Sequence, residues 1–80
     1  MLFCDTYCGY MARIELVELG KVIKSKRERK GLTQIELAIK SGVDRNYVGM
    51  LERGERNPSY LSLLKISKGL GIPVFNLIKP

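Results

Sequence analysis

The chain has 80 residues, enough for one domain with a modest core and too few for a second, ligand-sensing one. Hydrophobic residues at 45 % and charged residues at 28 % favour a folded domain over a disordered chain, and 14 Lys and Arg against 8 Asp and Glu leave a formal charge of +6, which suits a polyanionic partner. Histidine is absent, which removes the commonest general base and metal ligand.

Residues 1–14 read as an N-terminal extension and 15–80 as the domain. Met1-Leu2-Phe3-Cys4-Asp5 lacks the basic start and apolar run of a secretory signal, and no stretch approaches the roughly 18 apolar residues of a membrane span. A cytoplasmic protein with reduced thiols is expected. Cys4 and Cys8 have no other soft ligand in the chain, so no metal and no cofactor is expected, the alternative being a disulfide or a site shared between subunits. Leu2, Phe3, Tyr7 and Tyr10 are free to pack on the domain or on a second subunit, or to belong to a tail ahead of Met11-Ala12.

The first helix is expected from about Glu15 to Lys30, where Leu16, Leu19, Ile23 and Arg27 recur at three- and four-residue steps and Gly31 supplies a stop. Its other side, Lys21, Lys24, Lys26, Arg29 and Lys30, is almost uniformly positive. The second begins at Thr33-Gln34-Ile35-Glu36, a capping box in which hydroxyl and carboxylate satisfy each other's amides, and ends near Ser41-Gly42. The third starts after Asp44, an N-cap, and runs to Glu52, with Val48 and Leu51 inward, Arg45, Asn46, Tyr47, Gly49 and Met50 outward, and Gly54 closing it. The fourth follows Pro58-Ser59, carries Leu61, Leu64, Ile66 and Leu70, and stops at Gly71. The last is short, from about Pro73 to Ile78. No strand alternation competes, so the fold expected is all-α, a compact five-helix domain.

The stretch from Thr33 to Glu52 is a helix, a tight turn at Ser41-Gly42-Val43 and a second helix. Ala38 is small enough for close approach, and Gly42 can take the positive φ that turns the chain. Taken in order, Leu19-Gly20 through Arg27, Gly31-Leu32-Thr33-Gln34, Glu36-Leu37-Ala38, Gly42-Val43, Leu51-Glu52-Arg53-Gly54 and Pro58-Ser59 resemble the lambda-repressor and Cro-like (XRE-type) helix-turn-helix family over about residues 16–78. The short single-domain form and Asp44-Arg45-Asn46-Tyr47 are similar to restriction–modification controller proteins. The resemblance implies a transcription regulator, not an enzyme, that binds a palindromic operator in double-stranded DNA as a homodimer. RNA polymerase is a further partner where the site adjoins a promoter.

Carried over by position, the resemblance makes Gln34, Arg45, Asn46, Tyr47 and Met50 the base contacts and Thr33, Arg53, Arg56 and Asn57 backbone contacts. Lys26 and Lys30 are added as the DNA-facing members of a basic run that otherwise reads as a solvated helix face. The chemistry agrees: arginine forks onto guanine, asparagine pairs with adenine, and a methionine can meet a thymine methyl. Arg45 and Asn46 taken alone would pass as solvated helix-start residues, and Tyr47 and Met50 would serve equally in packing. The resemblance also implies a structural ion pair between Arg27 and Glu52. Phe75 stands where the family usually has a polar residue, and with Val74 and Ile78 it is the expected dimer interface. A two-fold pairing there would set two copies of the third helix about 34 Å apart. The competing reading is an antitoxin-like protein-interaction module in which DNA binding is secondary. The basic face of the first helix does not argue for a membrane, because the helix's apolar face is needed for the core.

Overall fold

The computed structural model describes the backbone of residues 2–78 and the side chains of residues 14–77. Five helices follow one another: α1 Leu2–Arg29, α2 Gln34–Ser41, α3 Arg45–Glu52, α4 Tyr60–Leu70 and α5 Phe75–Ile78, with no strand among the described residues. The all-α expectation therefore holds. Cys4, Cys8 and the aromatic residues of the extension fall outside the described side chains.

The helix starts follow the expected chemistry. Thr33 Oγ1 accepts from the Glu36 amide at 3.1 Å while Glu36 Oε1 accepts from the Thr33 amide at 2.8 Å, completing the capping box. Asp44 caps α3 by accepting from the Asn46 amide, and Ser59 caps α4 by accepting from the Ser62 amide. At the other end of α2, Gly42 sits at φ +73°, and Val43 donates back to the Ala38 carbonyl at 3.0 Å. A residue with a Cβ is disfavoured there, so this glycine makes the tight turn into α3 possible.

Two boundaries differ from expectation. α1 begins at Leu2 and not near Glu15, so one helix runs through the boundary drawn at residue 14. No proline lies between Leu2 and Arg29, and a helix already anchored by packing propagates at one hydrogen bond per residue. α5 begins at Phe75, two residues after Pro73. Pro73 and Val74 instead form a tighter turn, their carbonyls accepting from the Asn76 and Leu77 amides at 3.0 Å each.

Every helix contributes to one core: Ile23 from α1, Leu37 and Ala38 from α2, Val48 and Leu51 from α3, Ile66 and Leu70 from α4, and Leu77 from α5. Each large aliphatic side chain buried there contributes about 1.5–3 kcal/mol. α1 packs on α3 and α5, and α2 packs on α3 and α4, so α3 is braced from two sides. The contact between α1 and α3 is close because of Gly20. A Cβ on that residue would stand 2.5 Å from the Leu51 carbonyl oxygen and 2.6 Å from that of Glu52. Leu61, part of the apolar repeat of α4, is 68 % exposed and takes no part in the core.

Candidate nucleic-acid interface

The site is built on the face of α3 turned away from the core. Val48 and Leu51 are buried on the opposite side. Arg45 and Asn46 are exposed in the first turn, Met50 is half-buried one turn later, and Gln34 approaches from the first turn of α2. Together with Gly49, Arg53 and Glu55 they line one open depression of about 250 Å³. The structure thus brings together Gln34, Arg45, Asn46 and Met50, four of the five expected base-contact residues.

Tyr47 is the fifth, and it lies elsewhere. It is half-buried, packed against the core, and the Arg56 guanidinium stands 5.7 Å from its ring centroid. That is cation–π distance, and it holds the loop after α3 onto the helix. Gly49, expected on the outward face, is buried: Arg53 Nη1 lies 3.3 Å from where its Cβ would be and Gln34 Oε1 3.7 Å. The missing side chain eases the close approach of Arg53, whereas Gln34 would be in ordinary contact.

Beneath the depression lies the ion pair that the resemblance implied. Arg27 donates from Nε to Glu52 Oε2 at 2.6 Å and from Nη2 to Oε1 at 3.1 Å, and its Nη1 donates to the Leu32 carbonyl at 2.8 Å. Both side chains are largely buried, 11 % and 3 % exposed. The hydrogen bond to Glu52 raises the Arg27 guanidinium above its ordinary value, outweighing the opposing effect of burial. Glu52 Oε1 also accepts from Gln34 Nε2 at 3.0 Å. Gln34 is therefore positioned by this network, a role its sequence position did not reveal.

The expected backbone contacts are scattered. Thr33 is exposed, with its hydroxyl and amide both engaged in the capping box. The next two amides, of Gln34 and Ile35, stand in the first turn of α2, where a helix leaves its donors without intrahelical partners. Arg53 donates from Nε and Nη2 to both oxygens of Glu55 at 3.0 and 3.2 Å. These bonds raise the Arg53 guanidinium and lower the Glu55 carboxyl from their ordinary values. Arg56 and Asn57 are exposed in the loop after α3, and Lys26 is half-buried on α1. The Lys30 ammonium lies 3.7 Å from where a Cβ on Gly71 would be, beside the C-terminal end of α4. Sequence reasoning missed Glu55. Its only signal was the turn at Gly54, which returns residue 55 to the side of residue 53.

At the expected dimer interface Phe75 is 62 % exposed and Val74 half-buried, whereas the side chain of Ile78 lies outside the described residues. Among the described residues no group of metal-ligating side chains comes together, and no helix is long and apolar enough to cross a membrane.

Comparison with known proteins places this geometry. The helix-turn-helix family HTH_3 matches residues 23–77. An uncharacterized HTH-type transcriptional regulator of Sinorhizobium fredii, y4dJ, is 41 % identical over 62 residues, covering 78 % of this chain and 80 % of its own length. Among solved structures, the restriction–modification controller protein C.AhdI from Aeromonas hydrophila superimposes with a TM-score of 0.79 at 44 % identity, over 80 % of this chain and 97 % of that one. The controller protein C.Esp1396I, solved as a tetramer on its natural 35-base-pair operator, gives a TM-score of 0.74 at 40 % identity, over 80 % of this chain and 88 % of that one. The chain belongs to the helix-turn-helix family HTH_3, a family of DNA-binding transcription regulators and not of enzymes.

Proposed function

We propose that this chain binds a palindromic operator in double-stranded DNA as a two-fold homodimer and so controls transcription, in the manner of a restriction–modification controller protein. The observation that carries the reading is that Gln34, Arg45, Asn46 and Met50 meet in one depression, on a chain of net charge +6. α3 lies in the major groove, Arg45 and Asn46 read base edges, and Gln34 and Met50 flank them. The Gln34 and Ile35 amides, with Thr33, Arg56, Asn57, Lys26 and Lys30 around them, meet phosphates and fix the register. Phe75 and Val74 form the two-fold contact, burying an aromatic ring that is otherwise largely in water. RNA polymerase is the second partner such a regulator meets at a promoter; Glu36, the acidic residue of α2, is itself held in the cap. Access to DNA places the protein in the cytoplasm.

The test is selection of bound duplexes from a random DNA pool, with wild type beside an Arg45→Ala, Asn46→Ala variant whose folding is verified by circular dichroism. Wild type should enrich a two-fold symmetric site, and the folded variant should lose that preference. Enrichment of nothing, with weak binding that fades as salt rises, would reduce the protein to a basic surface and overturn the proposal.

A further inference from the structure

Arg53 is the last residue of the reading helix's cap, and its guanidinium does not reach out as a phosphate-seeking side chain would. It folds back along α3 until Nη1 lies 3.3 Å from the position of a Gly49 Cβ, inside the depression shared with Gln34, Arg45, Asn46 and Met50. Glu55 takes one whole edge of the fork, receiving Nε and Nη2 on its two oxygens. A guanidinium has five N–H donors in fixed directions. Once the Nε edge is occupied, the opposite edge, Nη1 and the second hydrogen of Nη2, still forms a parallel pair of donors. The guanidinium makes no other hydrogen bond among the described residues.

A carboxylate on the wall of a surface meant for a polyanion has a cost, because it repels phosphate and occupies a cation that could neutralise one. It also has an effect that phosphate binding does not need: it fixes the rotation of the guanidinium about its own axis. A fixed fork with one free edge matches guanine O6 and N7, whereas a phosphate can be met by a swinging side chain.

We infer that Glu55 is a specificity-determining residue, which positions Arg53 as a third base-reading side chain beside Arg45 and Asn46 and withholds it from phosphates on non-operator DNA. Gly49 is the third member of the device, since a Cβ there would stand 3.3 Å from Nη1 and press on the guanidinium. The inference rests on the operator-binding reading above and adds to it which residue prevents indiscriminate binding.

The experiment repeats the duplex selection and measures affinity against salt for a selected duplex and a random-sequence duplex, using wild type, Arg53→Ala, Arg53→Lys and Glu55→Gln. Both side chains are more than half exposed and an exposed pair adds little to stability, so the variants should fold, which urea denaturation verifies. Arg53→Ala and Arg53→Lys should each lose about tenfold or more of the discrimination at one base pair in each half-site, since lysine keeps the charge and lacks the fork. Glu55→Gln should lose the same preference while binding the random duplex more tightly, with a salt slope steeper by roughly 0.9 per subunit as Arg53 is released to a phosphate. The inference is overturned if Arg53→Ala weakens every duplex alike with a correspondingly shallower slope, or if Glu55→Gln leaves the selected site and the random-duplex affinity unchanged. In either case wild type still selects a site and the operator reading stands; a wild type that selects none overturns both.

Discussion

Gln34 Nε2 donates to Glu52 Oε1 at 3.0 Å, so the first residue of α2 is tied to the last residue of α3. The same carboxylate is gripped by Arg27 of α1. One buried anion thereby sets the relative placement of three helices, and the two that form the helix-turn-helix cannot shift independently of α1.

Removing one partner of that pair should be expensive. Arg27→Ala leaves the Glu52 carboxylate buried without its cation, and the expected loss is about 3–5 kcal/mol of unfolding free energy in urea titrations. The melting temperature should fall by about 10 °C or more. An Arg27→Met, Glu52→Leu double variant should recover most of the loss, because it strands no charge. A single variant as stable as wild type would show that the network contributes nothing to the fold.

Gly20→Ala should destabilise although alanine is the better helix former by about 1 kcal/mol. The new methyl would meet the Leu51 and Glu52 carbonyl oxygens, backbone atoms that cannot rotate away. A net loss of about 1–2 kcal/mol is expected from chemical denaturation, with α1 and α3 pushed apart. A gain in stability would mean that the two helices can separate freely.

Phe75→Lys should shift the protein toward monomer in sedimentation equilibrium while leaving its melting curve little changed, since the ring is 62 % exposed and outside the core. Operator affinity should fall with it, and each half-site should still be recognised. An unaltered dimer would place the two-fold contact elsewhere on the molecule.

The Glu55 carboxyl should titrate below the usual carboxylate range when followed by NMR, because Arg53 hydrogen-bonds its ionised form. A folded-state value below the unfolded one gives a contribution present at neutral pH and lost as pH falls through the lowered value. Arg53→Ala should return the titration upward to the ordinary range. If it does not move, the pairing is not formed in solution.

Much of this was legible in the sequence because it is local. Caps at Thr33, Asp44 and Ser59 and the turn at Gly42 are set by hydrogen bonds within a few residues, and apolar spacing alone placed Ile23, Leu37, Val48, Leu51 and Leu70 in the core. The backward extension of α1 was missed because residues 2–14 carry no start signal comparable to Thr33-x-x-Glu36, so the helix reads as beginning where its core-facing repeat begins. The candidate site was legible at Arg45, Asn46 and Met50, which follow helix phase from a known cap. Phase does not tell whether a half-outward residue meets solvent or a neighbour. Tyr47 beneath Arg56, Gln34 against Glu52 and Arg53 against Glu55 are side-chain meetings decided by rotamers and by loop geometry.

The two sides of α3 divide its labour. Val48 and Leu51 hold the helix to the domain, whereas Arg45 and Asn46 touch nothing the fold depends on. Changes at those two positions are therefore nearly neutral for stability. A lineage could replace them freely and drift from one set of target genes to another, without first acquiring compensating mutations in the core.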